Sequence, residues 1–185
     1  MGDGDGMSSR ALVEKAAGGC RESFAALLEA YYARIYRLAW RFCGSQPLAE
    51  DIAQDVCVKL ATAIRDYRGE AAFSTWVWRI TYTTAIDRIR AAQHMLYVEP
   101  SAMAELAGAS PDARAPSPED DLAAAELWLA VRRLPPQQRD AVLLVYGEDM
   151  SHAEAAKIMG CQEKTVSWHL HEAKKRLKTV LQAAG

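Results

Sequence analysis

Apolar side chains recur at helical spacing along most of the chain, and no segment alternates apolar and polar residues for long enough to predict a strand. A first apolar stripe covers 24–42 and ends at Gly44, a second follows Pro47, and a third begins at Phe73. Glycine is typical of a helix end, and proline is tolerated in a helix's first turn. We therefore predict an all-α fold, whose first part is a bundle of these three helices and a short helix near 10–17.

The helical pattern stops between residues 97 and 121, where proline, alanine, serine and acidic residues predominate. This segment holds six acidic residues, one base (Arg114) and four of the seven prolines. Such a composition predicts a flexible, acidic linker between two small helical domains. The predicted division is an N-terminal extension with a short helix at 1–19, a first domain at 20–96, the linker, and a second domain at 122–182.

The second domain is predicted to contain four helices, the last two of which are closely spaced. Ser151 and Glu154 fit the S-x-x-E capping box that begins a helix, and Gly160 fits the residue that ends it. A longer helix, at about 163–182, follows after two residues. This is the spacing of a helix-turn-helix, which places its second helix in the DNA major groove. A helical hairpin with a solvated basic face is the alternative interpretation.

The outward positions of this last helix carry hydroxyls, ring donors and cations, which are the groups that contact bases and phosphates. The inward positions are Val166, Leu170, Ala173 and Leu177. The predicted DNA-contacting residues are Lys164, Thr165, Ser167, Trp168, His171, Lys174 and Lys175.

Several function classes are disfavoured by the composition. No run of about 18 apolar residues occurs, and the N-terminus lacks the basic and apolar regions of a signal peptide. We therefore expect a cytoplasmic protein without membrane insertion. The four cysteines form no CxxC pair and are expected to be buried thiols, so no metal or cofactor is predicted. No catalytic arrangement stands out, and an enzyme is the least expected class.

Four segments carry motifs in a distinctive order. They are IYRLAWRFCGSQPLAEDIAQDVCVKL at 35–60, FSTWVWRITYTTAIDRIR at 73–90, LWLAVRRLPPQQRDAVLL at 127–144 and SHAEAAKIMGCQEKTVSWHLHEAKKRL at 151–177. The second resembles F-x-T-W-[LV]-x-x-I-x-x-N-x-x-x-D-x-x-R, and the last two resemble L-P-x-x-x-R and E-x-A-x-x-[LM]-G-x-x-x-x-T-V. Together they resemble the two conserved domains, regions 2 and 4, of the extracytoplasmic-function (ECF) sigma factors of the sigma-70 family.

The resemblance implies a sigma factor that binds core RNA polymerase and promoter DNA, directs initiation through −10 and −35 recognition, and is controlled by an anti-sigma factor. The 163–182 helix would read the −35 element, and the linker would thread the active-site cleft and RNA exit channel of the polymerase. The implied polymerase-binding residues are Glu50, Asp51, Gln54 and Asp55.

The loop at 66–72 and the helix at 73–90 resemble the family's −10 reader, which captures a base flipped from the opening duplex. Cations and flat side chains suit such a strand, whereas Trp76 and Ile80 are expected in the core. The implied −10 residues are Arg68, Trp78, Arg79, Tyr82, Thr83, Asp87, Arg88 and Arg90.

The sequence departs from the family pattern in a few places. Thr83 replaces the usual asparagine of the −10 helix, and Cys57 stands where an aromatic residue is common. In the last helix, His169 and Glu172 stand where arginines are frequent, and Gln162 replaces a serine cap. Because a glutamate weakens phosphate contact, we expect an unusual −35 sequence or weaker binding to free DNA.

Two other functions remain open. A sigma-like decoy would bind an anti-sigma factor without directing transcription, but decoys usually carry a receiver domain, for which 185 residues leave little room. A helix-turn-helix repressor would bind palindromic DNA as a symmetric dimer and would not need the FSTWVWRI segment at 73–80.

Overall fold

The computed structural model describes residues 5–98 and 122–184, with side chains described over 10–92 and 127–180. These residues form eight α-helices and no strand, which confirms the all-α prediction. Residues 99–121, most of the predicted linker, lie outside the described residues. The helices are α1 (Asp5–Ala17), α2 (Arg21–Cys43), α3 (Gln46–Ala63), α4 (Phe73–Val98), α5 (Leu122–Arg132), α6 (Pro136–Val142), α7 (His152–Met159) and α8 (Glu163–Ala184).

Two short segments continue helices in a different winding. A 3₁₀ turn (Ile64–Asp66) follows α3, and a π turn (Leu143–Gly147) follows α6. A π turn inserts one extra residue into the helical ladder and commonly marks a functional position. Here it brings Gly147 and Glu148 towards α2.

The predicted helix ends are confirmed. Gly44 has a φ of 69° and donates its N–H to the Trp40 carbonyl at the end of α2. Ser151 and Glu154 form the reciprocal capping box of α7, and Gly160 ends that helix with a φ of 66°. Left-handed backbone at both glycines explains why the sequence breaks its apolar stripes there.

The first unit is built around α2, α3 and α4, whose apolar faces meet in one core. Its largest fully buried side chains are Ile35, Leu38, Ile52, Val56 and Val77. Helix α1 packs outside this core, and its Val13 and Ala16 form a small cluster with Leu27 and Ile64.

The second unit consists of α5 to α8. Val131, Leu143 and Leu144 form its fully buried centre together with Val166 of α8. Leu170 and Ala173 are buried and Leu177 is half-buried, so the predicted inward face of α8 is confirmed.

The two units pack directly on one another, which the sequence did not predict. Buried side chains of both units belong to one continuous apolar cluster, which joins Phe42 of α2 to Leu143 and Leu144 of the second unit. Helices α2 and α4 contact α5, α7 and the π turn. The described chain therefore forms a closed body rather than two separated bundles.

Gly44 and Gly160 provide a matched test of this packing. An added Cβ at Gly44 would lie 2.4 Å from Arg132 Nη1, whereas one at Gly160 would meet nothing within 4 Å. Gly160→Ala should lower the free energy of unfolding by about 1 kcal/mol through left-handed strain alone. Gly44→Ala should cost about 2 kcal/mol, because Arg132 must also leave its position over the Trp40 ring.

Equilibrium denaturation of both variants against the wild type gives the comparison. If both variants lose the same free energy of unfolding, Arg132 moves away from the new Cβ at Gly44 without a measurable cost.

Candidate nucleic-acid and polymerase interfaces

The outward face of α8 is open to solvent in the packed structure. Six of the seven residues predicted there are exposed, and Thr165 is half-buried. Trp168 is 56% exposed, which is unusual for a large aromatic side chain in a protein of this size. The helix therefore presents cations, a hydroxyl and an indole together, a combination suited to phosphates and base edges.

Ser167, one of these residues, is held by a neighbour that the sequence did not indicate. Its hydroxyl lies 2.9 Å from Nδ1 of His152 and 3.2 Å from the Glu163 carbonyl, to which it donates. His152 is the first residue of α7, so the contact joins the two helices of the helix-turn-helix. In the sequence, the only local indication of this contact is that a polar residue, His152, directly follows the capping Ser151.

Two other α8 side chains make contacts that the sequence did not indicate. His169 is buried and packs edge-on against Trp168, so the side chain that replaces arginine here points inward, away from the predicted DNA-facing surface. The Lys174 ammonium lies 5.3 Å from the centre of the Tyr146 ring. Tyr146 is itself exposed and thus extends the predicted DNA-facing surface towards the π turn.

Most of the predicted −10 residues lie at the surface of the loop and of α4. Thr83 is exposed, but its hydroxyl donates to the Arg79 carbonyl of its own helix, 2.9 Å away. The exposed members of the set are Arg68, Arg79, Thr83, Asp87, Arg88 and Arg90.

Trp78 does not join them, and its predicted role as a base-contacting side chain is corrected. Its indole is 3% exposed and lies against Tyr31, with the Arg34 guanidinium 5.0 Å from the ring centre. Helix α4 turns Trp78 inward together with Val77 because that face packs on α2. Trp76 and Ile80, expected in the core, are half-buried at its edge.

Tyr82 lies between the two units instead of facing solvent. Its hydroxyl donates a hydrogen bond to Oδ2 of Asp140, at 3.0 Å. Burial, and secondarily the Asp140 carboxylate, raises the pKa of Tyr82 well above its ordinary value. The phenol is therefore neutral and acts as a donor at physiological pH.

A groove of about 510 Å³ runs beside the 66–71 loop. The first unit contributes two rings, Tyr67 and Trp76, and two cations, Arg68 and Arg79, and Lys157 of α7 also lines the groove. Cations beside flat rings are the surface that single-stranded nucleic acid favours.

The predicted polymerase face lies on α3. Glu50, Asp51 and Gln54 are exposed and line a cleft of about 670 Å³ with Tyr32 and Tyr36 of α2. The two tyrosines belong to the same surface and were missed by sequence reasoning, since they lie one helix away. Burial, with a smaller contribution from Glu50, raises the pKa of Tyr36.

Asp55, the remaining member of that set, is paired with a predicted DNA-binding residue. The Arg88 guanidinium donates to its Oδ2, and this hydrogen bond is the main reason why the pKa of Asp55 is lowered. The predicted polymerase face and the predicted −10 reader therefore share one ion pair between α3 and α4.

The described residues also bear on the expectations for thiols, metal ligands and membrane spans. All four cysteines are half-buried rather than fully buried. Within 5–98 and 122–184, no cluster of three potential metal-ligating side chains occurs. In the same ranges, no helix has the length and apolar character needed to cross a membrane.

Comparison with known proteins gives two family matches in the order expected. Residues 27–95 match the family described as Sigma-70 region 2, and residues 124–177 match Sigma-70, region 4. The ECF RNA polymerase sigma factor SigM of Mycobacterium tuberculosis is 30% identical over 163 residues, which cover 88% of this chain and 79% of SigM. The chain belongs to the ECF sigma factors of the sigma-70 family.

Further similarities agree with this assignment. The ECF sigma factor SigW of Bacillus subtilis is 29% identical, with 88% of this chain and 91% of SigW covered. The fold is similar to that of the sigma factor RpoE from Bartonella quintana, solved in complex with the anti-sigma factor NepR. That similarity has a TM-score of 0.68 at 20% identity and covers 87% of this chain and 98% of RpoE. As a sigma factor, the protein directs transcription initiation at promoters and is not an enzyme.

The His152–Ser167 contact of this sigma factor can be tested by substitution. His152→Ala should lower the free energy of unfolding by about 0.5–1.5 kcal/mol, because one hydrogen bond between α7 and α8 is lost. His171→Ala is the matched control, since His171 is exposed and forms no hydrogen bond among the described side chains. Equal effects of the two substitutions in denaturant titrations would mean that His152 does not fix α8.

Proposed function

We propose that this sigma factor binds core RNA polymerase through α3, reads the −35 element with α8, and captures the −10 strand with the 66–72 loop and α4. In this proposal the first functional unit spans 20–96 and the second spans 122–182. The observation that carries it is the exposed, cationic face of α8 within a capped helix-turn-helix.

The −35 role is supported by the arrangement of charge on α8. Lys164, at its N-terminal end, and Lys174 and Lys175, about three turns further on, are all exposed. In a helix-turn-helix, residues near the N-terminus of the second helix lie closest to the bases, while cations elsewhere contact phosphates. We therefore assign base contacts to Ser167 and Trp168 and phosphate contacts to Lys174 and Lys175.

The −10 role is supported by the groove beside the loop. Arg68 and Arg79 would track the phosphates of one strand, and the Tyr67 and Trp76 rings, which line the same groove, would stack on its bases. Unstacking a base costs a few kcal/mol, which contacts in such a groove offset without ATP.

The polymerase is the principal partner in this proposal, and its site is the acidic cleft with Glu50, Asp51 and Gln54. An anti-sigma factor is the second partner, by analogy with RpoE and NepR. Because the polymerase and its promoters are in the cytoplasm, we place the protein there.

Run-off transcription with purified core polymerase tests the function directly. Addition of the chain should produce transcripts from promoters with two separated elements, and Glu50→Ala combined with Asp51→Ala should reduce them. Absence of transcripts across a genomic promoter library would refute promoter direction. Tight binding of the chain alone to a palindrome would favour a repressor, and binding only to an anti-sigma factor would favour a decoy.

The salt dependence of promoter binding by the holoenzyme tests the phosphate contacts. Lys175→Ala should weaken binding to all promoter sequences alike and reduce the slope of log K against log salt by about one, because one released counterion is lost. Lys15→Ala, an exposed lysine on α1, should leave the slope unchanged. A change in sequence preference for Lys175→Ala would contradict the assignment to phosphate.

A further inference from the structure

The indole of Trp168 lies on the exposed face of α8, in the second turn of the helix. Helix α8 begins at Glu163, and the Trp168 side chain is 56% exposed. Its ring packs edge-on against the buried His169, with 5.0 Å between the ring centres. Among the described residues, nothing accepts a hydrogen bond from its Nε1–H. The protein thus supports the ring on one side and leaves the rest of it, with its single donor, to a ligand.

Trp168 belongs to a row of exposed side chains along one face of α8. Lys164, Trp168, His171 and Lys175 follow one another at intervals of four, three and four residues, which is the spacing of one helix face. In a helix-turn-helix, the first turns of the second helix lie closest to the base edges. The indole therefore projects towards the bases from between two cations.

Ser167, the residue before it, has less to offer a base. Its single proton goes to the Glu163 carbonyl at 3.2 Å, and Nδ1 of His152 lies 2.9 Å from the same hydroxyl oxygen. A hydroxyl has one proton and two lone pairs, so Ser167 can only accept a further hydrogen bond. Of the two residues assigned to the bases, Trp168 alone retains a donor.

The chemistry of the indole selects among the bases. An indole combines a large apolar ring with one N–H and has no acceptor. In the major groove, thymine presents its C5-methyl group beside the O4 acceptor. Guanine presents two acceptors, adenine an acceptor and an amino donor, and cytosine an amino donor, all without a methyl group. Thymine is therefore the base whose edge matches both the ring and the donor of the indole.

We infer that Trp168 is a specificity-determining residue, which reads a thymine of the −35 element by packing its ring on the C5-methyl group and donating its Nε1–H to O4. The inference rests on the proposed function, since it specifies one base contact within −35 recognition. The side chain that sets this base preference carries no charge, so the thymine requirement is separate from the salt-dependent contacts of Lys174 and Lys175.

Deoxyuridine substitution in the −35 element tests the methyl contact. Run-off transcription first identifies a promoter for the holoenzyme, and selection from duplexes randomised in its −35 region gives the preferred element. Each thymine of that element is then replaced by deoxyuridine, which lacks only the methyl group. At one position the wild-type holoenzyme should bind about fourfold more weakly, which is the effect of leaving one methyl group unburied.

Two variants of Trp168 show whether the ring is responsible. Trp168→Ala should bind the thymine and deoxyuridine duplexes equally at that position, because no ring remains to cover the methyl group. Trp168→Phe, which keeps a ring without the N–H, should still distinguish them. Val180→Ala is the matched control, because Val180 is an exposed apolar residue of the same helix, and it should keep the full methyl effect.

A methyl group on another base provides the reciprocal test. In a duplex with cytosine at the same position, conversion to 5-methylcytosine should strengthen binding of the wild-type holoenzyme by about the same factor. The same conversion should leave binding of the Trp168→Ala holoenzyme unchanged. Equal binding of both duplexes by the wild type would contradict the methyl contact.

Three results would overturn the inference while the proposed function stands, because the holoenzyme still selects a −35 element in each. The selected element contains no thymine, the wild type is indifferent to the methyl group at every thymine, or Trp168→Ala shows a methyl effect of the same size. If run-off transcription identifies no promoter, the proposed function itself fails, and the inference fails with it.

Discussion

Helix α2 has to satisfy two sets of neighbours at once, and the rest of the arrangement follows from this constraint. Ile35 and Leu38 are fully buried among α3 and α4, so this part of the helix organises the first unit. Towards its C-terminal end, Trp40, Arg41 and Phe42 contact the second unit. Gly44 ends the helix without a Cβ, and this leaves space for Arg132. A single rigid rod therefore fixes both the first core and the position of the second unit on it.

The contact between the units relies on arginines, and the chemistry of that side chain explains why. A guanidinium is planar and weakly hydrated, so it stacks on an aromatic ring while its edge donates hydrogen bonds. Arg41 does both, with Trp128 on its face and Gly147 and Glu148 at its edge. Burial raises the pKa of Glu148, and the nearby arginines only partly counteract this effect. Burial of the Glu148 carboxylate therefore costs hydration free energy that its ion pairs only partly recover.

The sequence predicted those parts of the molecule that depend on neighbouring residues. Helix ends at Gly44 and Gly160, the Ser151 capping box and the inward face of α8 all follow from local patterns, and each is present. The orientation of α4 was harder, because apolar or aromatic residues occur around most of its circumference. The pattern places Trp78 among the predicted −10 residues, yet its side chain is buried beside Val77.

Long-range contacts left no signal of this kind. Arg41 and Glu148 are 107 residues apart, and neither the helix of Arg41 nor the loop of Glu148 indicates by itself that the side chain is buried. Thr81 and Thr84 show the same difficulty within a helix: both are fully buried, which polar side chains rarely are. Thr81 bonds back to the Val77 carbonyl, and Thr84 accepts from Lys59, so partners that the sequence does not reveal make their burial possible.

The ion pair of Asp55 with Arg88 ties together two surfaces that would serve different ligands. Any protein that draws the Asp55 carboxylate towards itself frees a guanidinium on α4 for another anion. Thermodynamic reciprocity requires the converse as well: an anion that takes Arg88 makes Asp55 more available. Because the pair is partly solvated, the linkage is worth at most about 1 kcal/mol, or roughly fivefold in affinity. Even this small coupling favours an order of binding, because a ligand bound at the α3 surface raises the affinity of the α4 surface for its own ligand.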